Sequence, residues 1–348
     1  MTDQALATLV AVAMLVSLIA YALLGGADYG AGVWYMLASG RRAEAQRRLV
    51  DRAIGPVWEA NHVWLILVVV LLFTAFPPAF AALTTTMHLP LSLMLIGIVL
   101  RGSAFTFRHY DESERRRIWW GRAFMIPSVI TPVLLGLVVG ALASGRAAPR
   151  PGEVVDLLAP AWLGSFPMAV GLFTLAIFAY IAAVYLILEA DEPALRDDFR
   201  ARAIASAVAV GGLAWAVYLL ARAEAPLVFG RLDASPWGFP VRLATGGFAL
   251  ASLLALVRRH YHIARGCAVV QVALILWGCG LALHPYLIPP GLTITNAVAP
   301  RRTLVLLLIA LAAGLVVLVP SLVALFRVFK ADALGVRKVG AAKVGRRV

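Results

Sequence analysis

Charge is what this sequence has least of. Charged residues make up 14% of its 348 positions, and acidic ones are scarcest, 18 Asp and Glu against 31 Lys and Arg. A soluble domain carries about 25% charged residues. With 62% hydrophobic residues and a mean hydropathy of +0.88, the chain belongs in a bilayer. Cysteine is nearly absent: Cys267 and Cys279 are the two there are. On one predicted helix they lie about 18 Å apart, at roughly 1.5 Å rise per residue, too far to bridge. Both read as packing residues and say nothing of redox compartment. No HExxH, GxSxG, CxxC, GxGxxG or Walker loop is present, which removes hydrolase, ATPase and nicotinamide chemistry from the readings the sequence supports. Loops of about 20 residues or fewer leave no room for a soluble domain.

What is present is a set of long apolar runs, at roughly 6–38, 54–76, 79–101, 122–144, 161–188, 203–222, 241–257, 266–284 and 303–328. A span needs about 20 residues, so these runs predict an all-α polytopic membrane protein of about nine transmembrane helices. Residues 1–330 read as one membrane domain with approximate halves 1–150 and 151–330, meeting near the 144–160 loop and showing no internal repeat. The basic stretch 331–348 reads as a cytoplasmic tail, disordered or laid on anionic lipid. MTDQALATLV has no basic segment of the kind that opens a cleavable signal.

The net charge of +13 first suggests nucleic acid, but its distribution points elsewhere. With the N-terminus outside, 24 of the 31 Lys and Arg fall in cytoplasmic loops, span ends and the C-terminal tail. That bias predicts an external N-terminus and a cytoplasmic C-terminus, and no nucleic-acid-binding module accompanies it.

The most informative stretch is Ile54 to Arg108, where polar residues interrupt membrane-length apolar sequence. Such residues cost free energy in lipid and are kept where they face protein, water or a proton path. Asp28 falls in the lower half of the first span, Glu59 and Asn61 in the first turns of the second, and Arg101 at the lower end of the third. All four are expected in the cytoplasmic half of the first three helices. Two readings stay open: an acid–arginine pairing that locks the helices together, or handling of protons or a substrate. Gly26 and Gly30 form a GxxxG pair, to which Gly32 adds a small surface, so the helix around Asp28 is expected to pack closely on a neighbour.

Six histidines are the candidate haem or metal ligands. His109, His260 and His262 sit at loop boundaries, and His62 and His284 belong near opposite faces. His88 is expected near mid-depth, followed by a kink at Pro90. Such a set is poor material for a bis-histidine haem. Most tryptophans fall near span ends, as an interfacial belt requires; Trp64 is deeper, three residues after Asn61 and on its face.

Five stretches in chain order then carry a resemblance: GGADYGAG (Gly25–Gly32), GPVWEANHVWL (Gly55–Leu65), FPPAFAA (Phe76–Ala82), LMLIGIVLRGSAFTFR (Leu93–Arg108) and HPYLIPPGLTITNAVAPRRTL (His284–Leu304). They resemble subunit II of the cytochrome bd-type quinol oxidases, and VYLILEADEPALRDDFRARA (Val184–Ala203) adds a weaker match. The resemblance implies two four-helix bundles plus a peripheral helix, in the bacterial cytoplasmic membrane. It implies pairing with a subunit I that carries haem b and haem d (or a further haem b) and the quinol site, leaving no cofactor bound directly by this chain. It also implies a complex that oxidises quinol and reduces O2 to water with cytoplasmic protons, with room for a small accessory subunit. Some members hold a quinone or lipid as a structural element.

Asp28 matches the second acid of the family's D-G-F-D-x-G-x-G pattern, with Gly25 where the first would stand. Glu59 and Asn61 match the acid and amide of W-D-G-N, with Ala60 in place of glycine, and Trp64 matches the tryptophan that follows. Arg101, Gly102, Phe105 and Arg108 match R-G-x-x-F-x-x-R, with Thr106 where an acid is usual. By this resemblance Asp28, Glu59, Asn61 and Arg101 are candidates for a proton path or inter-subunit network, and Trp64 for an O2 route. The rival readings are a secondary transporter, in which the acids and Arg101 would bind substrate, and a purely structural assembly subunit.

Overall fold

In the computed structural model, residues 2–54, 58–110, 113–147 and 162–330 are described. The first helix, α1 (Asp3–Met36), starts where the Thr2 side chain accepts a hydrogen bond from the Ala5 amide. Its 34 residues give about 51 Å of helix, well beyond a hydrocarbon core of about 30 Å. The glycines near its end do not interrupt it. They let it approach α7 (Ser165–Glu189), where a Cβ on Gly30 would fall 1.9 Å from the Phe178 carbonyl oxygen. The Trp34 indole then donates to the Ala179 carbonyl at 2.7 Å, fixing the same seam.

The segment expected as a loop after α1 holds an amphipathic helix, α2 (Ala43–Ile54), which buries Leu49 and Val50. The second span is α3 (Trp58–Ala75). Pro77 and Pro78 then start a new helix, α4 (Pro77–Thr86), turned by 118° from α3. Proline at the first helical positions has no amide hydrogen to waste there, so the pair initiates rather than merely breaks. The expected third span at 79–101 is thereby displaced: α5 runs His88–Tyr110. Arg101 therefore lies within α5, with about two and a half turns of helix beyond it, rather than at its end. His88 is the first residue of α5, exposed, with Nδ1 3.0 Å from the Thr85 carbonyl, and Pro90 sits harmlessly in the first turn.

The remaining helices are α6 (Glu114–Ala143), α8 (Pro193–Glu224), α9 (Pro226–Ala234), α10 (Gly238–Val257), α11 (Tyr261–Leu283) and α12 (Arg301–Lys330). A short antiparallel hairpin, β1 (Tyr286–Ile288) with β2 (Leu292–Thr293), joins the last two. Neither α9 nor this hairpin was legible as an element. Eight helices are long and apolar enough to span a membrane, and α3 with its bent continuation makes a ninth, among the described residues. α1 packs on α3, α6, α7 and α11; α5 packs on α6, and α7 on α8. α7 is the most enclosed span, 61% of its apolar window being buried, whereas α12 at 6% is peripheral. The Ile54–Val57, 144–160 and 331–348 expectations fall wholly or partly outside the described residues.

Candidate functional site

The polar residues singled out in the first spans meet at one point, with one exception. Asp28 on α1 is 5% exposed, Asn61 on α3 3% and Arg101 on α5 2%. The Asn61 amide donates to Asp28 Oδ2 at 2.7 Å, tying α3 to α1. Arg101 Nη2 donates to the main-chain carbonyl of Asp28 at 2.8 Å, tying α5 to the same turn. Its Nε donates to Ser128 Oγ on α6 at 3.2 Å, and Ser128 passes its own hydrogen to the Phe124 carbonyl. The guanidinium lies 4.6 Å from the Tyr29 ring centroid and 5.0 Å from that of Phe124. Four helices are thus bound through one arginine and one aspartate. Burying such groups is tolerated because their hydrogen-bonding capacity is met inside the protein.

Glycine makes the site possible. A Cβ on Gly32 would sit 2.2 Å from Ser128 Oγ, so the α1 residue one turn beyond Asp28 must be without one. Ser128, Tyr29 and Phe124 were not singled out from sequence. A serine and two aromatics in apolar helices carry no signal of their own, and only the burial of Arg101 identifies them.

Glu59 does not join the cluster. It lies two residues from Asn61, about 200° around the helix, and is exposed on the chain's surface. Trp64 is half-buried at the edge of the main core, its indole nitrogen making no hydrogen bond to a described residue. Thr106 is exposed and bonds back to the Gly102 carbonyl. Arg108 pairs with Asp51 of α2 and lies 4.5 Å from the Tyr35 ring centroid, a second polar contact toward the α5 terminus.

At the same end, the Asp198 carboxylate receives both Arg42 (Nε at 2.8 Å) and the Gln46 amide (2.9 Å). That hydrogen bond raises the already high pKa of the Arg42 guanidinium. A cavity of about 530 Å3 is lined there by Arg42, Gln46, Asp198 and Arg202, apart from the buried cluster.

Of the five histidines other than His109, four are at helix ends or on the surface, and His62 is inside the bundle. His62 is packed against the Tyr21 and Tyr29 rings at 6.1 and 6.2 Å. His88 is on the surface, His260 and His262 are exposed around the start of α11, and His284 follows its end. No group of three or more His, Cys, Asp or Glu that could hold a metal occurs among the described residues.

Residues 6–329 match the family model described as Cytochrome bd terminal oxidase subunit II. Cytochrome bd-I ubiquinol oxidase subunit 2 of Escherichia coli (strain K12) is 32% identical over 130 residues, 37% of this chain and 34% of that protein. Cytochrome bd ubiquinol oxidase subunit 2 of Bacillus subtilis (strain 168) is 30% identical over 127 residues, 36% and 37% of the two chains. The alignable segment thus spans about a third of each of these relatives. A probable cytochrome oxidase subunit 2 of Haemophilus influenzae aligns over 336 residues at 24% identity, 86% of this chain and 87% of that protein. The bd oxidase structure from Geobacillus thermodenitrificans superposes with a TM-score of 0.73, covering 93% of this chain and 98% of the other. At 23% identity that likeness is one of fold.

Proposed function

The chain belongs to the cytochrome bd terminal oxidase subunit II family, and from that premise we propose that it is the haem-free second subunit of a bacterial quinol:O2 oxidoreductase. It pairs in the cytoplasmic membrane with a subunit I that holds the haems and oxidises quinol. The charge bias puts the α2 end of the bundle in the cytoplasm and the N-terminus outside. The observation that carries this reading is the Asp28–Asn61–Arg101 cluster, a buried ionisable site that ties four helices by polar bonds where apolar packing alone would be the cheaper solution.

In this role the cluster does two things. Arg101 holds α1, α5 and α6 in register, so that the face offered to the partner is preformed. The Asp28 carboxyl, oriented by the Asn61 amide, takes up and releases a proton without rearrangement of the helices. Glu59, exposed on α3, is the ionisable group that meets the partner or the water between the subunits. Trp64, one turn further along the span, borders the route by which O2 reaches the haems. The haems supply the electron transfer and O2 reduction on subunit I; no residue of this chain is assigned to ligate them.

Two measurements test the reading. Reduced-minus-oxidised spectra of the purified chain, alone and co-expressed with a subunit I of the same genome, are expected to show haem in the pair only. Haem on the isolated chain would contradict it. Glu59→Gln is expected to slow quinol-driven O2 uptake by on the order of tenfold while the pair still assembles with full haem content. Unchanged turnover in an intact complex would remove the proton role.

A further inference from the structure

At the end of the bundle that the charge bias places in the cytoplasm, the turn from α1 to α2 and the first turns of α8 enclose the cavity of about 530 Å3. Sites for small molecules measure roughly 300–1,000 Å3. Arg41 and Arg42 enter the lining from the turn, and Arg202 from α8. Gln46, 4% exposed, pins the walls together. Its amide oxygen accepts from the Ser39 main-chain amide at 3.1 Å and from Arg202 Nη2 at 2.7 Å, while its nitrogen donates to Asp198 Oδ2 at 2.9 Å. Arg202 Nη2 also reaches the Leu37 carbonyl at 3.3 Å, and its guanidinium lies 5.4 and 5.0 Å from the Trp34 and Phe199 ring centroids. The walls of the cavity are thus set by bonds among themselves.

Charge in this lining does not balance. Its two acids are Asp197 and Asp198. Asp198 is paired with Arg42, and Asp197 with Arg259 just after α10, at 3.2 Å. Arg41 and Arg202 remain in the lining, and neither makes an ion pair with a described residue. A positive-inside bias calls for arginines on this side of the membrane. It does not call for two of them, without a carboxylate, around one cavity. A guanidinium carries a planar fork of donors that matches the oxygens of a phosphate.

The surroundings favour a lipid over a free anion. Met36 and Leu37, at the end of α1 that leads into the cavity, are exposed apolar side chains. Below Ala201, which lines the cavity, Ala205, Val208, Gly212 and Trp215 follow at helical spacing on α8, all exposed and on one face. A Cβ on Gly212 would meet nothing within 4 Å, so this face is open along its length. Basic pockets between transmembrane helices on the cytoplasmic side suit anionic lipid headgroups. We propose that the cavity binds the phosphate headgroup of an anionic phospholipid of the cytoplasmic leaflet. Arg41 and the charge of Arg202 hold the phosphate, and the acyl chains lie down the exposed face of α8. Such binding belongs to this chain and goes beyond the electron and proton chemistry of the complex.

Native mass spectrometry of the detergent-solubilised complex with subunit I tests the site, with phosphatidylglycerol, phosphatidylcholine and inorganic phosphate as probes. The wild-type complex is expected to retain phosphatidylglycerol in preference to phosphatidylcholine. Arg41→Gln is expected to weaken phosphatidylglycerol binding about fivefold, and Arg41→Glu to abolish the preference. Arg41 is exposed and forms no ion pair, so neither change threatens folding. Arg48→Gln removes the same charge from α2 outside the cavity, where Arg48 faces Glu44 at 3.9 Å, and is expected to leave retention as in the wild type. Equal retention of the two lipids by the wild type, or equal losses in Arg41→Gln and Arg48→Gln, overturns the site. If inorganic phosphate binds and phosphatidylglycerol does not, the cavity takes a free anion and the lipid assignment falls.

Discussion

The two groups of helices bury different things. Among the described residues, the buried charged side chains Asp28 and Arg101 both belong to the set formed by α1, α3, α5 and α6, together with Asn61, Ser128 and Thr131. The set formed by α7, α8, α10 and α11 buries only neutral polar groups, Ser206, Ser252 and Gln271. Its centre is α7, with an uninterrupted apolar run from Ile177 to Val184 inside the main core. The first set is held by polar bonds that reach across helices, the second by close contact along one enclosed helix. An ionic group in a membrane is costly unless partnered, and its confinement to one side is what the proposed proton-handling role draws on.

The contrast is broken most directly at Arg101. Arg101→Ala leaves the Asp28 carbonyl and Ser128 without their donor and empties the space between Tyr29 and Phe124. Removing one member of a buried charged network costs about 3–5 kcal/mol, enough that the pair with subunit I is expected not to accumulate in membranes. Arg101→Lys keeps the charge but not the forked geometry, and is expected to give partial accumulation. Quantitative blotting against a wild-type strain reads both. If Arg101→Ala accumulates normally, the first set is not held by its polar bonds.

Gly30→Ala sharpens the comparison from the other side, since it attacks contact rather than charge. The added methyl meets main chain, the Phe178 carbonyl, and not a side chain that could swing away. Overpacking of this kind costs about 1–3 kcal/mol. It is expected to lower the thermal midpoint of the detergent-solubilised complex while leaving its turnover at permissive temperature near wild type. A turnover loss as large as that of Glu59→Gln would show that the α1–α7 seam also serves the reaction.

How much of this was legible in the sequence divides along the same line. Asp28, Asn61 and Arg101 stand out because charge and amide are rare in apolar runs, and the structure brings them together. Glu59 stands out equally but points elsewhere, because neighbours in sequence two apart are not neighbours on a helix. Ser128 was invisible, since a serine in a helix usually bonds its own backbone, and Tyr21 and Tyr29 were too, since an aromatic ring in an apolar helix reads as packing. The nine spans followed from hydropathy, but α2, α4 and α9 did not: they are short, and hydropathy does not separate a short helix from a loop. The Pro77–Pro78 pair, which falls between the expected runs 54–76 and 79–101, begins a helix, and this moves α5 and changes where Arg101 lies along it.

The smallest effect is expected at Ser252, the point where the second set comes nearest to a polar network. Ser252 is fully buried, donates to the Ala264 carbonyl at 2.9 Å and shares a hydrogen with the Tyr180 hydroxyl at 2.5 Å. Counted by bonds, Ser252→Ala removes as many as Arg101→Ala, two in each case. Counted by charge, it removes nothing, and neutral interhelical hydrogen bonds in membrane proteins average only about 0.6 kcal/mol. Unfolding of the complex in mixed detergent should therefore register a loss near that value, several-fold below that of Arg101→Ala. Should the two losses prove equal, hydrogen bonds and not buried charge would set the difference between the two sets, and the argument for a functional site around Asp28 would have to stand on turnover alone.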